Sequence, residues 1–483
     1  VYDDMEQAAV TKAPDGYSFF VWKDDQGTVY NETKAINNPV TLHAEFRKNV
    51  GVDSDHNGDV IAADDFIIHI TDVDPATGIT EAIAKERSNV EAYKADASRA
   101  SADEIRVKGT EKVNAVGEFE LTYTMGKATV TAKVTVNNEN PVVVGKTAYT
   151  LTFEGVEGQD NYQVTTEDGQ EVPGARIWEK TVKTGTKAVK HGKYVIEGLE
   201  KGTTYRISHP YYGSTLGTTS LVDAKDIAER FAPEEETIHE PKGGYEEKAE
   251  NSKAEVTVDE DTGNYVVKVK DNINHTVEIP DTWGDVTVDM NGNTIKGDNA
   301  TEADGAKPGI DFITDPGDRH PGSNITFIDT SKDGRGTIAG GDGSKEHPDG
   351  AAGIRGEENA ENPEVTIKKP VKVIGGNGVT GEDGNGGNGG AGINGNVKPT
   401  INGGTVSGGN GGNGADTDKG DAGNGGSGGA GITTPDKDVT IIGGTVTGGN
   451  AGNGGNATGT GTDKGNGGDA GNGGAGIDAG GGT

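Results

Sequence analysis

The sequence predicts an all-β, multidomain chain whose C-terminal half is a parallel β-solenoid with stacked, glycine-rich hairpins. Three short signals recur in fixed order between residues 286 and 483. Self-similarity at a period of about 40 residues is typical of solenoids, whose stacked repeats bury a continuous apolar ladder. Between two of the signals, glycine runs carry a different residue at every third position. This spacing predicts a regular conformation with a period of three.

The three signals predict three short β-strands in each repeat. The first is an apolar–Thr–apolar triplet, whose central threonines lie 39, 40, 34 and 40 residues apart, at Thr287, Thr326, Thr366, Thr400 and Thr440. The second is Thr followed by Ile or Val, at Thr294-Ile295, Thr337-Ile338, Thr405-Val406 and Thr445-Val446. The third is Gly-Ile, with the isoleucines at Ile310, Ile354, Ile393, Ile432 and Ile477. Because no such strand can bury its apolar side alone, we expect the repeats to share one core.

The glycine runs leave the second strand of a repeat and return to its third strand. In the fourth repeat they are 408–414 and 421–431, joined by a turn at 416–419. A left-handed three-fold helix has no internal hydrogen bonds, so its N–H and C=O groups need neighbours. Glycine on two edges permits close approach, while Asn or Asp occupies the third edge. We therefore predict that the hairpins stack into a hydrogen-bonded plate.

Two other interpretations of the glycine runs are weaker. Collagen requires abundant proline in a strict Gly-X-Y pattern, which these runs lack. A disordered linker drifts in length and phase, whereas these runs keep register with the strand signals on both sides. We predict that the turns and the outward polar residues form an interaction rim. Its residues are Asn410, Asn413, Asp416, Asp418, Asn424, Asn450, Asn453, Asp463, Asn466 and Asn472.

Composition restricts the classes of partner. The chain has 483 residues and a formal net charge of −34, from 44 basic and 78 acidic residues. This balance disfavours nucleic acid, which requires the opposite sign. The absence of cysteine excludes disulfides and thiol chemistry. The sequence contains no run of 18 apolar residues, so it does not predict a membrane-spanning segment. Because the sequence stops inside a repeat, we expect it to be a segment of a longer chain.

The first predicted domain, 1–48, is a small β module. Its pieces 16–22, 27–30 and 42–46 resemble the internalin B-repeat family, β-grasp repeats of bacterial surface proteins. His43 and Phe46 stand where that family usually has Tyr and Trp. The resemblance implies a cell-surface setting and no particular chemistry.

The second predicted domain, 49–137, is an Ig-like β-sandwich, because segments such as 66–70, 119–123 and 128–136 alternate apolar and polar residues. A short helix is predicted within 81–97. One loop has the ligand spacing of a calcium site, with glycine at the sixth position. Its predicted Ca²⁺ ligands are Asp53, Asp55, Asn57, Asp59 and Asp64. The alternative is a polar Asx turn between strands.

The third predicted domain, 138–232, is a further β-sandwich with a helical exit near 223–230, followed by a charged linker at 233–250. Its run 197–207 resembles the closing hairpin of fibronectin-like and collagen-binding-protein B-type sandwiches. The last predicted domain, 251–483, begins with a hairpin that caps the solenoid. The sequence around 285–295 and 325–330 resembles right-handed parallel β-helices of the pectate-lyase-like superfamily, although polyglycine-II-like excursions are not part of that pattern.

These features favour a non-enzymatic, extracellular protein of the bacterial cell surface. We expect a structural stalk or adhesin that presents the glycine-rich solenoid and self-assembles into a surface fibre. The expected partners are a glycan or protein on a host or microbial surface, or other copies of the chain. Ca²⁺ is the one cofactor that the sequence indicates.

Two alternatives remain open. The first is a polysaccharide-binding or polysaccharide-degrading β-helix enzyme, which requires clustered carboxylates and a proton acceptor. The best cluster for it contains Asp311, Asp315, Asp318, Arg319 and His320. The second is binding to ice or another crystal surface through stacked hydroxyls, although Thr also simply suits strand surfaces. Those hydroxyls belong to Thr400 and Thr440, Thr405 and Thr445, and Ser407 and Thr447.

Overall fold

The computed structural model describes residues 13–31, 33–53, 58–180, 191–232, 252–317, 321–361 and 363–478. This part is nearly all β. Its two α-helices are α1 (Glu81–Arg87) and α2 (Ala224–Glu229). Short 3-10 turns cover Ile70–Asp72, Ala102–Glu104, Thr110–Lys112 and Gly461–Asp463. The helix predicted within 81–97 ends at Arg87 because Asn89 adopts a left-handed conformation, with φ of 45°, which terminates helices.

The N-terminal strands form three sheets, in the orders β2-β1-β3, β4-β5-β7 and β6-β10-β9-β8. Their bounds are β1 (Ser18–Lys23), β2 (Val29–Tyr30), β3 (His43–Arg47), β4 (Val50–Val52), β5 (Val60–Ala62), β6 (Phe66–His69), β7 (Glu91–Tyr93), β8 (Arg106–Lys108), β9 (Gly117–Met125) and β10 (Ala128–Asn137). The pair β6–β10 is parallel. Phe20 and Val29 share an apolar cluster with Val60 and Tyr93. The segments predicted as the first two domains therefore pack through a common core.

Two antiparallel sheets follow, in the orders β11-β12-β15-β14 and β13-β16-β17. Their bounds are β11 (Val142–Lys146), β12 (Leu151–Val156), β13 (Gln163–Thr166), β14 (Arg176–Lys180), β15 (His191–Glu197), β16 (Thr204–Ser208) and β17 (Ser214–Thr218). Phe153, Tyr162 and Tyr194 pack against one another, with ring centroids 4.8–5.1 Å apart. These rings form the centre of a separate core.

The C-terminal strands form a large, curled, parallel-rich sheet of ten strands and a second sheet of six. Their bounds are β18 (Ala254–Val258), β19 (Tyr265–Val269), β20 (Val277–Pro280), β21 (Gly284–Asp289), β22 (Thr294–Lys296), β23 (Ile310–Ile313), β24 (Ser323–Ile328), β25 (Thr337–Ala339), β26 (Ile354–Gly356), β27 (Glu364–Lys368), β28 (Lys372–Ile374), β29 (Ile393–Gly395), β30 (Lys398–Ser407), β31 (Ile432–Thr433), β32 (Thr440–Thr447) and β33 (Ile477–Asp478). We call 284–322, 323–363, 364–397, 398–439 and 440–478 repeats 1 to 5.

The prediction that the three signals stack in one shared register is confirmed. The central threonines of the first signal are cross-strand partners along the stack, in the order Thr287, Thr326, Thr366, Thr400 and Thr440. The second signal pairs in the order Ile295, Ile338, Val373, Val406 and Val446. The third pairs in the order Ile310, Ile354, Ile393, Ile432 and Ile477. All these pairings are parallel, so equivalent side chains of successive repeats stack directly.

The inward Val and Ile side chains of the repeats form one continuous core. Ile295, Ile338, Val373 and Val406 are all fully buried. Burying such a side chain stabilises the fold by about 1.5–3 kcal/mol. The strands are individually short, so this stacked burial is what holds them in a single register.

The first turn of the stack is capped as predicted. Strand β18 pairs antiparallel with β19, which in turn begins the parallel stack. Helix α2 covers the same end, since Ile227 and Phe231 are fully buried within the core of the repeats.

The preceding sheets are joined closely to this cap. The backbone N–H of Ala148 donates to the hydroxyl of Tyr265 at 2.9 Å, and that of Lys146 donates to Asn264 Oδ1 at 2.9 Å. A Cβ at Gly145 would lie 1.8 Å from the carbonyl oxygen of Thr262. The residue at 145 is therefore glycine because the two segments meet backbone to backbone.

Candidate functional site: the glycine plate

In each repeat, a connection leaves the second strand of the repeat and returns to the third. It lengthens from 297–309 in repeat 1 to 448–476 in repeat 5. We call its first half the outgoing arm and its second half the return arm. The stacked arms of repeats 2 to 5 form what we call the glycine plate. Its outgoing arms are 340–343, 375–381, 408–416 and 448–458, and its return arms are 348–353, 385–392, 421–431 and 465–476.

The central glycine of each triplet links the two columns of arms. Gly429 N donates to Gly409 O at 2.8 Å, and Gly409 N donates to Gly390 O of the preceding repeat at 2.8 Å. Gly449 N continues the series by donating to Gly429 O at 2.8 Å. These bonds zigzag from an outgoing arm to a return arm and on to the next repeat. They bind the two columns into a single body.

The first glycine of each triplet bonds within its own column. Gly411 N donates to Asn450 O at 2.9 Å, and Gly414 N donates to Asn453 O at 2.8 Å. In the return column, Gly425 N donates to Asp469 O at 2.7 Å. Each arm is thereby tied to the equivalent arm of the next repeat at every third residue.

The asparagines supply the third set of bonds. Asn450 N donates to Asn410 Oδ1 at 2.9 Å, and Asn410 N donates to Asn377 Oδ1 at 3.0 Å. The same pattern holds at ten further pairs of successive repeats, written donor to acceptor: Asn453 to Asn413, Asn456 to Asp416, Asn466 to Asp421, Asn424 to Asn385, Ser427 to Asn388, Asp469 to Asn424, Asn472 to Ser427, Asn388 to Asp349, Asn377 to Asp342 and Asp342 to Asn299. In each pair, a side-chain oxygen of one repeat accepts a backbone N–H of the next repeat. This N–H points towards solvent, where no neighbouring arm lies to accept it. Polar residues at every third position complete the hydrogen bonding of the plate.

Close approach explains why the other two positions are glycine. A Cβ at the central Gly426 would lie 1.9 Å from Gly387 O. A Cβ at Gly411 or Gly428, the first glycines of their triplets, would lie 2.1 Å from a carbonyl oxygen. Real Cβ atoms do not approach backbone so closely, so any larger residue would separate the arms. The sequence had indicated this close approach from glycine on two edges of each arm.

The predicted rim residues lie on the faces and tips of the plate, and all ten are exposed. Four of them, Asn410, Asn413, Asp416 and Asn424, use a side-chain oxygen to accept a ladder hydrogen bond. Asn450, Asn453, Asn466 and Asn472 take part as backbone donors. Asp418 and Asp463 lie in the stacked turns at the tips. The polar residues on the faces of the plate therefore serve mainly to hold the arms together by hydrogen bonds. At the tips, the acidic side chains of Asp418 and Asp463 project from the plate.

Replacing Asn410 by alanine is expected to make hydrogen exchange at the amide of Asn450 about fivefold faster, because one hydrogen bond contributes about 1 kcal/mol. The measurement is residue-resolved exchange on the folded chain. Asn450→Ala is the matched control, since it keeps the backbone N–H and removes a side chain that accepts no bond from the described residues. Equal protection of residue 450 in N410A and in the unsubstituted chain would contradict a ladder role for the side chain.

The predicted calcium loop is described only in part, because Asp55 and Asn57 lie outside the described residues. Asp59 Oδ1 accepts the N–H of Ala95 at 3.0 Å, and Asp59 O accepts the N–H of Asp53 at 3.0 Å. Asp64 lies in an ion pair with Arg47, at 3.0 Å. Within the described ranges, no three His, Cys, Asp or Glu side chains converge as a metal site. The calcium assignment stays a prediction.

The carboxylate cluster predicted for polysaccharide chemistry is partly separated. Asp318, Arg319 and His320 lie outside the described residues. Asp311 is buried and forms a two-point ion pair with Arg355, whose Nε lies 2.9 Å from Oδ1. The Asp311 pair, which raises the pKa of the Arg355 guanidinium, lines a cavity of about 490 Å³. Asp315 instead lines a neighbouring cavity of about 610 Å³ with Trp283.

No known protein family, curated protein or solved structure matches this chain. None of the described helices is long and apolar enough to cross a membrane.

Several residues of the site were not identified from the sequence. Lys296 anchors the first Asn/Asp column through Asp342, at 2.7 Å. Burial would raise the pKa of the Asp342 carboxyl, but hydrogen bonds from Lys296 and Asn377 lower it overall. Arg355 was also missed. Its signal was present, since Arg355 occupies the position of Asp311 one repeat later, and residues at one position of successive repeats are stacked neighbours.

Proposed function

We propose that this chain is a non-enzymatic, extracellular bacterial surface protein, a structural stalk or adhesin that presents its glycine plate. We also propose that repeats 1 to 5 are turns of a right-handed parallel β-helix and that the arms are polyglycine-II-like three-fold helices. The observation that supports this most is the three-way hydrogen bonding of Gly-Gly-Asn triplets such as 408–410, in which every backbone N–H finds an acceptor in a neighbouring arm or strand. Such an arrangement suits a rigid scaffold, because a catalytic centre needs polar groups free to act on a substrate.

The contacts that join successive sheets of the chain also support a stalk. The N-terminal sheets share a core, and Asn137 Nδ2 donates to both Ile68 O and Tyr211 O, at 3.0 and 2.8 Å. Further along, Tyr265 and Asn264 fasten the cap to the preceding sheets. A load applied at one end would be transmitted through hydrogen-bonded junctions.

The tips of the plate are the proposed contact surface. Asp418 and Asp463 are exposed there, and the turns 416–420 and 456–464 are hydrogen-bonded to one another, since Thr458 N donates to Thr417 O at 2.8 Å. A rigid turn loses little conformational entropy on binding. Surface glycans and proteins, and other copies of the chain, are the proposed partners.

A binding assay on defined surface molecules tests the adhesin proposal. The purified chain is applied to arrays of host and microbial glycans and of extracellular matrix proteins. We expect at least one saturable interaction that weakens about tenfold in the double variant Asp418→Ala, Asp463→Ala, as loss of two rim charges changes affinity by about 1–2 kcal/mol. Asp333→Ala, an exposed acid in a turn of repeat 2, is the control. Absence of binding across the arrays, or equal binding by the tip variant, would reject the tips as the contact surface.

A second candidate is polysaccharide binding or cleavage at the Asp311–Arg355 groove. The observation that favours it is the pair of adjoining cavities of about 490 and 610 Å³, which share Glu229 and Arg230 as lining residues. Release of reducing ends or unsaturated sugars from acidic and neutral polysaccharides tests this function. Activity that is lost in Asp311→Asn would support an enzyme and displace the stalk proposal.

A third candidate, binding to an ice or crystal surface, is favoured by the register of the threonines. Thr400 pairs with Thr440, Thr405 with Thr445, and Ser407 with Thr447. Such columns repeat at the strand spacing of about 4.8 Å. Thermal hysteresis of a freezing solution tests it, and a signal lost in Thr366→Lys would place the surface on the first column of threonines.

A further inference from the structure

The turn that joins β16 to β17, residues 209–213, lies against the ends of β6 and β10, and we call it the junction turn. Asn137 Nδ2, at the end of β10, donates to Tyr211 O at 2.8 Å. A Cβ at Gly213 would lie 2.8 Å from Nε2 of His69, the last residue of β6. The junction turn is therefore part of the contact between the N-terminal sheets and the two sheets that follow.

His209 begins the junction turn, and its imidazole is held in one tautomer. The backbone N–H of Tyr211 donates to Nδ1 at 3.0 Å, so Nδ1 carries no proton and the neutral ring is protonated at Nε2. Nε2 is buried and finds no acceptor among the described residues, and the residue as a whole is 5% exposed. A second proton can bind only at the nitrogen that already accepts the amide of Tyr211.

Three tyrosine rings surround the imidazole of His209. The ring centroids lie 4.8 Å from it for Tyr162 and Tyr212, and 5.5 Å for Tyr211. Ring faces attract a cation, but here they also take the place of the water that solvates an exposed imidazolium. Removing that water disfavours the charged form.

The charged groups nearby do not compensate for this burial. Burial lowers the pKa of His209, and the carboxylate of Asp160, which precedes β13, offsets it only in part. The acidic group on the linker before β11 is Glu139, which pairs with His191 at 3.6 Å. On the side of the N-terminal sheets the titratable group is His69, whose Nδ1 accepts a backbone N–H of its own segment at 3.3 Å. The neutral form of His209 is therefore the one that fits the closed turn.

We propose that the junction turn is an acid-sensitive connection in which His209 binds the proton. A proton on Nδ1 points at the N–H of Tyr211, so two donors face each other and their hydrogen bond is lost. The charged ring then leaves its pocket for water, and the turn moves away from Asn137. Acid thus loosens the contact between the N-terminal sheets and the sheets that follow, whatever the chain binds.

The direction with pH follows from the lowered pKa of His209 in the closed turn. Above the pKa of an exposed histidine, about 6.5, the ring is neutral in both states and the closed turn is fully stable. As pH falls below that value, the open turn binds the proton more readily than the closed turn. Between about pH 7.5 and about pH 5, opening is therefore favoured by at most about thirtyfold, the factor by which an exposed ring becomes protonated.

Backbone hydrogen exchange of the whole 483-residue chain at these two pH values tests the proposal. Rates are divided by those of unfolded peptides at the same pH, which removes the intrinsic dependence of exchange on pH. We expect the protection of peptides that contain 209–213 to fall about threefold or more in acid, while peptides from β9 and β10 keep theirs. A smaller fall at 209–213, or an equal fall in all peptides, would overturn the proposal.

His209→Asn removes the titration and keeps an acceptor, because the amide oxygen of asparagine can take the position of Nδ1. Protection at 209–213 is then expected to be equal at the two pH values. His43→Asn is the control, since His43 is exposed and lies 2.8 Å from Asp25 on a different sheet, and it should respond to acid as the unsubstituted chain does. An acid loss that persists in His209→Asn would overturn the assignment to this ring.

Asp160→Asn tests the same assignment without altering the imidazole, and it serves if His209→Asn does not fold. Because Asp160 favours the charged form of His209, its removal makes the closed turn resist protonation more strongly. The loss of protection in acid is therefore expected to be larger than in the unsubstituted chain. A loss that stays equal or becomes smaller would overturn the proposal.

Discussion

Replacing Gly426 by alanine is expected to melt the middle of the glycine plate while the Val and Ile core of the repeats stays folded. Gly426 is the central glycine of its triplet, and its N–H donates to Gly412 O at 2.8 Å. The new Cβ would lie 1.9 Å from Gly387 O and 2.5 Å from its carbon. Backbone cannot yield as a flexible side chain does, so the arms must separate and lose several hydrogen bonds together. We expect a cost of about 3 kcal/mol or more.

Backbone hydrogen exchange, read by mass spectrometry on peptides from 408–431, measures this effect. Those peptides are expected to lose protection in Gly426→Ala, while peptides from strands β21 and β24 keep theirs. Gly473→Ala is the control, because it is the first glycine of another Asn-Gly-Gly run and has no atom within 4 Å of the new Cβ. Full protection of 408–431 in Gly426→Ala would mean that the arms do not pack at the separation described above.

The order of the repeats was predictable from sequence because the strand signals report side-chain burial directly. Ile310, Ile354 and Ile393 follow glycine in every repeat, and each is fully buried in the stacked core. The third repeat was predicted less completely, since Lys372 replaces threonine in the second signal. Val373 nevertheless pairs with Ile338 and Val406. Burial of the apolar residue, and not the identity of its outward neighbour, sets the register.

Two strands differ from the prediction in extent. The first and second signals predict two strands in each repeat, whereas the structure has a single strand across both in repeat 4, β30, and in repeat 5, β32. In repeat 4, Gly403 makes this continuity feasible, because its φ of 88° absorbs a bulge in the pairing between Asn402 and Thr405. Sequence periodicity could not reveal that the corner of this repeat remains hydrogen-bonded.

The role of the asparagines was only half predictable. Their spacing of three placed them on the outer edge of each arm, where the structure has them. Their hydrogen-bond partners lie about one repeat away in sequence, as Asn410 and Asn450 illustrate, and the connections differ in length from repeat to repeat. Such a pair of asparagines can be identified only when the register of the strands is known, because that register determines which triplets of successive repeats lie side by side. The exposed position of these residues could therefore be read from the spacing, while their contribution to the hydrogen bonding within the plate was missed, and their role as an interaction rim stays a prediction.

Replacing Asp329 by alanine is expected to destabilise the joined turns of repeats 1 and 2 by about 3–5 kcal/mol. Its buried carboxylate accepts three backbone N–H groups, from Gly292 at 2.9 Å, Ser331 at 3.0 Å and Gly336 at 2.6 Å. Each unsatisfied buried donor costs about 1–3 kcal/mol. Urea unfolding and exchange of the Gly292 and Gly336 amides measure the loss. Asp333→Ala, in the same turn but in an exposed ion pair with Arg335, is expected to cost under about 1 kcal/mol.

The pH dependence gives an independent test of the same carboxylate. Burial alone would raise the pKa of Asp329, but hydrogen bonds from Ser331, Gly336 and Gly292 outweigh it and lower the pKa. A group with a depressed folded-state pKa stabilises the fold above its unfolded pKa of about 3.9, and that stability is lost as pH falls through the folded value. Acid should therefore destabilise the unsubstituted chain more steeply than Asp329→Ala. If the free energy of unfolding fell equally with pH in both proteins, the hydrogen bonds from the three amides would not depend on the charge of Asp329.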